Sequence, residues 1–134
     1  MNKVKDSCKT HDGPVFEEND IELFFDPANS KQGYKQLIVN SIGTIMDLQV
    51  LKGKSDVSWS SDAVVATKQN KNSWTVELSI TLSRLKNKTP RLGEIWSFNV
   101  CRVRKTIKHG QYTCWSATFG AFGKPERFGK LIFK

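Results

Sequence analysis

The fold is decided by residues 14–27, which read PVFEENDIELFFDP and carry a proline at each end. Apolar and other side chains alternate through the second half of this stretch, in the period-two pattern of a β-strand. We expect a strand over residues 20–26 whose core-facing side chains are Ile21, Leu23 and Phe25. Glu22 and Phe24 would then point to the opposite face, towards solvent or towards a ligand.

Short β-rich runs, separated by turns that contain Gly, Pro or Asn, continue along the rest of the chain. We expect further strands over residues 34–40, 44–48, 63–68, 74–80, 95–103, 112–116 and 128–133. The first two of these should form a hairpin, because a short Gly-containing link joins them. Only a single helical turn is indicated, near residues 82–85. The pattern predicts an all-β, antiparallel sandwich of jelly-roll type, with a polar lead-in over residues 1–10 and one domain over residues 11–134.

The composition is that of a globular domain, and its charge is unevenly distributed. The 134 residues are 38% hydrophobic and 25% charged, with no apolar run long enough to span a membrane and no signal peptide at the start. Residues 1–62 carry 7 Lys/Arg against 10 Asp/Glu, whereas residues 63–134 carry 14 against 3. The densest basic run, residues 102–108, alternates with apolar residues as a strand end and a solvated loop do. We therefore expect neither a nucleic-acid partner nor a membrane partner.

Chemically reactive residues are few, and no catalytic residue is predicted. Five carboxylates are crowded between residues 17 and 26, mostly in a turn, whereas acid–base catalysis by a glycosidase needs two placed across a cleft. Nucleophile elbows, P-loops and HExxH motifs are absent. The two histidines do not suggest a metal cluster. Cys101 and Cys114 could pair if their strands are neighbours, but buried free thiols are the expected state.

Aromatic residues in the predicted loops are the stronger functional signal. Phe16 precedes the first strand, and Phe119 and Phe122 lie in a glycine-flanked loop before the last strand. Flat rings beside polar groups suit the faces of sugars. Alternatively, these rings close the ends of the sandwich core.

Five segments together resemble the carbohydrate-binding module family 9-like domains of the DOMON-like β-sandwich group. They occur in the family's order and cover about residues 10–134. They are Asp12–Pro27, Gln36–Asn40, Trp74–Ile80, Trp96–Val100 and Pro125–Leu131.

The resemblance implies a sugar site made of two aromatic rings and a carboxylate. The two ring positions of the family correspond here to Phe16 and Phe122, and the strand glutamate corresponds to Glu22. Both rings are Phe where the family usually has Trp, and the family's sugar-binding arginine falls at Ile38. Two neighbouring amides, those of Gln36 and Asn99, are the expected substitutes.

The resemblance also implies a non-catalytic, secreted protein of polysaccharide metabolism, extracellular or periplasmic, that holds a sugar at a glycan end. The alternatives are a protein- or polyanion-binding sandwich that has lost the sugar site, and an appendage of a glycoside hydrolase. Family domains begin with further strands, so we expect an N-terminally short domain with an exposed sheet edge that could form a homodimer. No cofactor is expected. Calcium is left open, with Asp26, Asn29 and Asp47 as candidate ligands.

Overall fold

The computed structural model describes residues 6–134, and this part of the chain is built mainly of short β-strands. The strands are β1 (Asp20–Asp26), β2 (Gly33–Asn40), β3 (Ile45–Leu51), β4 (Lys54–Asp56), β5 (Val64–Gln69), β6 (Trp74–Ser79), β7 (Ile95–Arg104), β8 (Gln111–Cys114) and β9 (Gly129–Ile132). A one-turn helix, α1 (Leu82–Leu85), follows β6, and 3-10 turns occur at Val15–Glu17 and Pro125–Arg127. No helix within residues 6–134 is long and apolar enough to cross a membrane.

The strands form two antiparallel sheets of unequal size. The larger sheet has the order β4-β3-β2-β1-β7-β8, and β9 pairs with the first half of β7 beside β8. The smaller sheet consists of β5 and β6. The predicted all-β, antiparallel fold class is confirmed, and so is the predicted hairpin, which is β2 paired with β3.

The burial of β1 is the reverse of the expected one. Phe24 is fully buried and Glu22 is 7% exposed, whereas the three residues expected to face the core are only half-buried. The prediction assigned the more buried face by hydrophobicity alone. In the structure, Phe24 packs with Cys101 and Phe128, and the rings of Tyr34 and Phe122 close over this cluster. Glu22 and Phe24 therefore lie beneath other groups.

The small sheet explains why the other face of β1 is half-exposed. It approaches the β2–β3 end of the large sheet, where Gln69 donates hydrogen bonds to the oxygens of Ser41. On that side of the sheet Leu37 and Val39 of β2 are completely buried. The apolar side chains of β1 on the same face, Ile21, Leu23 and Phe25, are only half-buried. Two strands cover only part of the seven-stranded sheet.

Strand β4 was not expected, because the segment after β3 is polar and looked irregular. It pairs with the end of β3 through the turn Lys52-Gly53, in which both residues have positive φ (49° and 75°). Two consecutive positive φ angles are typical of a tight hairpin turn, for which Asn-Gly is the usual sequence signal. Because the first residue of this turn is lysine and not asparagine, the sequence lacked the usual signal and the turn was not predicted.

Candidate functional site

A cavity of about 290 Å³ opens on the side of the large sheet that carries Glu22. Its lining comes from the 3-10 turn before β1, from β1 itself, from the β7–β8 hairpin and from the loop after β8. The lining residues are Phe16, Glu22, Val103, Lys105, Tyr112, Gly120, Ala121 and Phe122. The structure therefore brings together three of the five predicted site residues, which are separated by up to 106 positions in the chain.

The turn before β1 presents Phe16 while burying the residues beside it. Val15 is completely buried, whereas the Phe16 side chain is 47% exposed. Glu18 anchors the turn, because its carboxylate accepts hydrogen bonds from the backbone N–H groups of Ser7 and Cys8 and from Asn40 Nδ2. Burial opposes the ionisation of Glu18, yet these hydrogen bonds hold its pKa below the ordinary value.

Glu22 is the carboxylate of the cavity. Its Oε2 accepts a 2.7 Å hydrogen bond from Gln36 Nε2 on the neighbouring strand. Burial raises the pKa of Glu22 to about 7, while the Gln36 hydrogen bond and the positive charge of Lys105 oppose the rise. Near neutral pH this group is therefore divided between its charged and neutral forms, and a bound ligand that donates hydrogen bonds would favour the charged one.

The loop after β8, residues 115–124, carries Phe122 to the cavity. Asn99 holds the beginning of this loop, because its side-chain amide donates to Ser116 O and accepts from Ser116 N, both at 2.9 Å. Gly123 lets the loop approach β2 closely, since a Cβ at this position would lie 2.2 Å from the hydroxyl oxygen of Tyr34. The ring of Phe122 also lies 6.2 Å from that of Tyr112, at an angle of 59°.

The two amides expected to replace the family's arginine have other positions and partners. Asn99 is completely buried and bound to the backbone of Ser116, so it supports the site and does not line it, contrary to the prediction. Gln36 reaches the site only through its hydrogen bond to Glu22. Ile38 lies directly opposite Glu22 on β2 and is 4% exposed, so no polar group replaces the arginine there.

The cation of the cavity is Lys105, which sequence reasoning missed. Its Nζ donates a 2.9 Å hydrogen bond to Tyr112 Oη and lies 5.0 Å from the centre of that ring. Its backbone N–H donates to Asn19 Oδ1, which ties the β7–β8 turn to the beginning of β1. The basic run at residues 102–108 contained the signal, but alternation alone could not show that one of its lysines turns towards the aromatic site.

Asp20 is a second buried carboxyl group on the same face of β1. It is 0% exposed, and neither of its oxygens has a hydrogen-bond partner. Burial, and after it the negative charge of Glu22, raises the pKa of Asp20 to about 8. Because an unpaired buried carboxylate is costly, burial favours the neutral form of Asp20 at pH 7.

The three candidate calcium ligands do not converge. Asp26 lies on the Glu22 face of the large sheet, and its carboxylate accepts from the Lys31 backbone N–H. Asp47 is paired with Leu37 and so lies on the opposite face, where it accepts from the backbone N–H of Ser61. Asn29 accepts from the Ser97 hydroxyl. Strand alternation places Asp26 and Asp47 on opposite sides of the sheet, so they cannot share an ion.

Solved structures with the same fold include sugar-binding proteins. A candidate carbohydrate-binding protein from Bacteroides uniformis matches with a TM-score of 0.78 and 15% identity, over 100% of this chain and 69% of its own. A family 9 carbohydrate-binding module from Caldicellulosiruptor kristjanssonii matches with a TM-score of 0.68 and 18% identity. It was solved with glucose and with cellotriose, and the match covers 98% of this chain and 65% or 64% of the module chain. This chain thus spans about two thirds of those proteins.

The family comparison covers the whole chain. No curated protein matches this chain. The family model described as "Carbohydrate family 9 binding domain-like" matches residues 1–134. The chain is therefore a member of the carbohydrate family 9 binding domain-like family.

Proposed function

We propose that this chain binds carbohydrate without chemical conversion, in the cavity between Phe16 and Phe122. The observation that carries the proposal is that these two rings and Glu22, distant in sequence, line one cavity. Its volume, about 290 Å³, is at the small end of the roughly 300–1,000 Å³ typical of small-molecule sites. A single sugar unit, such as the end of a glycan, suits that size.

Each of the proposed contacts has a physical role. The apolar C–H faces of a sugar ring pack on the flat faces of Phe16 and Phe122, which removes apolar surface from water. The Glu22 carboxylate accepts hydrogen bonds from sugar hydroxyls, and such charge-assisted bonds are stronger than neutral ones. Lys105 supplies the donor that Ile38 cannot supply, from the β7–β8 turn and not from β2.

Calorimetric titration with glucose and cellotriose tests this proposal. These probes are chosen because the structurally similar module was solved with both. We expect saturable binding that Glu22→Gln weakens, because a neutral amide is a poorer acceptor for hydroxyls. Glu126→Gln, at an exposed position in the 3-10 turn before β9, is the matched control and should bind as the unmodified protein does. Unchanged binding in Glu22→Gln would contradict the assignment.

A polyanion or an acidic protein is the second candidate partner. It is supported by the charge of residues 63–134 and by Arg102, which is exposed although its strand is paired on both sides. Binding to heparin that weakens steeply with salt and is unaffected by Glu22→Gln would favour this function over the first.

We also propose a location, an enzyme association and an oligomeric state for this chain. Family membership supports an extracellular or periplasmic location, and a role as the binding appendage of a glycan-degrading enzyme. The small sheet supports self-association, since β5 and β6 pair only with each other among the described strands and each leaves one edge free. Sedimentation equilibrium tests the homodimer, and a monomer at all concentrations would contradict it.

A further inference from the structure

A second cluster of ionisable side chains lies apart from the sugar cavity. It consists of His11, Asp12 and Asp47, and one ligand atom from each lies within 4.8 Å of the other two. His11 Nε2 is 3.3 Å from Asp12 Oδ2 and 3.9 Å from Asp47 Oδ1. His11 and Asp12 are exposed, whereas Asp47 is 1% exposed. The cluster is thus open on one side and closed at its base.

The backbone brings the two exposed residues to β3. Asp12 N donates a 2.9 Å hydrogen bond to Ile45 O, and Asp47 N donates to Asp12 Oδ1 at 3.2 Å. These two bonds place the turn formed by residues 10–13 along the edge of β3. Asp12 adopts a left-handed conformation, with φ of 58°, which is unfavourable for most residues and tolerated by Asp and Asn. The turn is therefore held in one arrangement.

The buried residue of the cluster has one oxygen without a partner. Asp47 Oδ2 accepts hydrogen bonds from the backbone N–H and the hydroxyl of Ser61, at 2.7 and 2.5 Å. Asp47 Oδ1 is buried and accepts none. Such an atom is costly to bury unless something else binds it. The unsatisfied oxygen is the Asp47 atom that lies nearest His11 Nε2, so it is directed into the cluster.

We propose that His11, Asp12 and Asp47 bind a divalent transition-metal ion of the zinc class. One imidazole nitrogen and two carboxylate oxygens form a donor set that suits Zn²⁺ better than Ca²⁺, which prefers oxygen alone. A nitrogen at about 2.0–2.1 Å and an oxygen at about 2.0–2.2 Å from one zinc ion can be no more than about 4.3 Å apart. Both distances from His11 Nε2 are shorter than this limit. Water completes the coordination on the exposed side.

The ion would stabilise the turn that leads into the sugar site. Gly13 O accepts a hydrogen bond from Val15 N at 2.7 Å, and Phe16 follows directly. An ion held by the turn and by β3 would therefore fix the segment before Phe16. The metal site does not depend on the sugar-binding proposal, because it contains none of the cavity residues.

Zinc titration of the metal-free protein tests the inference, with calorimetry for affinity and NMR of the histidine rings for position. We expect one saturable site, a shift of the His11 ring signals and a higher melting temperature. Asp12→Asn keeps the acceptor oxygen for Asp47 N and tolerates the left-handed backbone, so the fold should persist. Its affinity should fall by at least about tenfold, and His11→Ala should lose the site. His109→Asn, at the other histidine, should bind normally.

Two outcomes would overturn the proposal. One is zinc binding that persists in His11→Ala and disappears in Cys114→Ser, which would assign the ion to thiols. The other is the absence of saturable zinc binding by the folded, metal-free protein.

Discussion

Gln36 Nε2 donates a 2.7 Å hydrogen bond to Glu22 Oε2, across the pair formed by β1 and β2. The bond occupies one carboxylate oxygen of a residue that lines the cavity. It also fixes the side chain, so a sugar would meet an acceptor already held in position. This preorganisation makes Glu22 the centre of the proposed site.

Replacing either of the two cavity rings, Phe16 or Phe122, should weaken sugar binding. Phe16→Ala and Phe122→Leu each remove a flat surface, and the leucine retains apolar volume against the Phe24 cluster. We expect binding to weaken by about 1.5–3 kcal/mol, which is roughly a 10- to 150-fold rise in Kd. Phe119→Leu is the matched control, because Phe119 is 79% exposed, contacts Arg127 and does not line the cavity. Equal losses of sugar affinity in all three variants, measured by calorimetry, would contradict the role proposed for Phe16 and Phe122.

Sugar affinity should rise with pH through the neutral range. The pKa of Glu22 in the free protein is raised to about 7, and only the charged form accepts hydrogen bonds at both oxygens. The ionised fraction therefore increases roughly tenfold between pH 6 and pH 8, and we expect Kd to fall by about the same factor. Calorimetry at the two pH values measures this change. Glu22→Gln should bind weakly and equally at both, and a persisting pH dependence in that variant would assign it to another group.

The stability that Asp20 contributes should fall as pH rises. Its pKa is about 8 in the folded protein, against the ordinary 3.8, so the folded state binds more protons than the unfolded state between these values. The contribution of Asp20 to the free energy of unfolding is therefore largest below about pH 4 and declines by several kcal/mol up to about pH 8, at roughly 1.4 kcal/mol per unit of pKa difference. Glu22 adds a decline in the same direction up to about pH 7.

The Asp20→Asn variant isolates that contribution. It removes the buried ionisable group and keeps a side chain of similar size, so we expect a flatter pH profile and greater stability than the unmodified protein at pH 9. Urea unfolding at pH 5 and pH 9 measures the difference. A variant that is less stable at both pH values, with an unchanged slope, would show that Asp20 is ionised and bound in the folded protein.

Cys101 and Cys114 should form a disulfide under oxidising conditions. They are directly opposite on β7 and β8, and their sulfur atoms are 3.0 Å apart. Burial raises the pKa of Cys101, so little of its thiol is ionised and it reacts slowly. The oxidation with glutathione disulfide therefore needs a long incubation. The bond would stabilise the protein by about 3 kcal/mol, the value for a loop of about 15 residues. Mass spectrometry should show the loss of two hydrogens and linked peptides, and Cys8 linked to either residue would contradict the assignment.

Asn99 should matter to sugar binding without contacting sugar. Asn99→Ala leaves the backbone N–H and C=O of Ser116 without their partners, at a cost of about 1–3 kcal/mol of stability. It should also raise the Kd for sugar, because the loop that carries Phe122 loses its anchor. Glu126→Gln, at an exposed position, is the control. A stable Asn99→Ala protein with normal affinity would show that the loop is held by other contacts.

Alternation and turn chemistry were sufficient to predict most strands, because these signals are local. They predicted β1 as residues 20–26 and α1 as one turn. They could not predict which face of β1 is more deeply buried, since that depends on how far the small sheet extends over β1 and β7. Residues 16, 22 and 122 came from family resemblance, and the structure brings them to one cavity. Lys105 escaped prediction because its approach to Tyr112 depends on the shape of the β7–β8 turn.

The most direct test is the measurement of intermolecular nuclear Overhauser effects between a bound sugar and the labelled protein. With cellotriose at saturation, we expect contacts from the ring protons of both Phe16 and Phe122 to the C–H protons of one sugar unit. Contacts confined to other residues, or saturable binding with no contact to either ring, would contradict the proposed site.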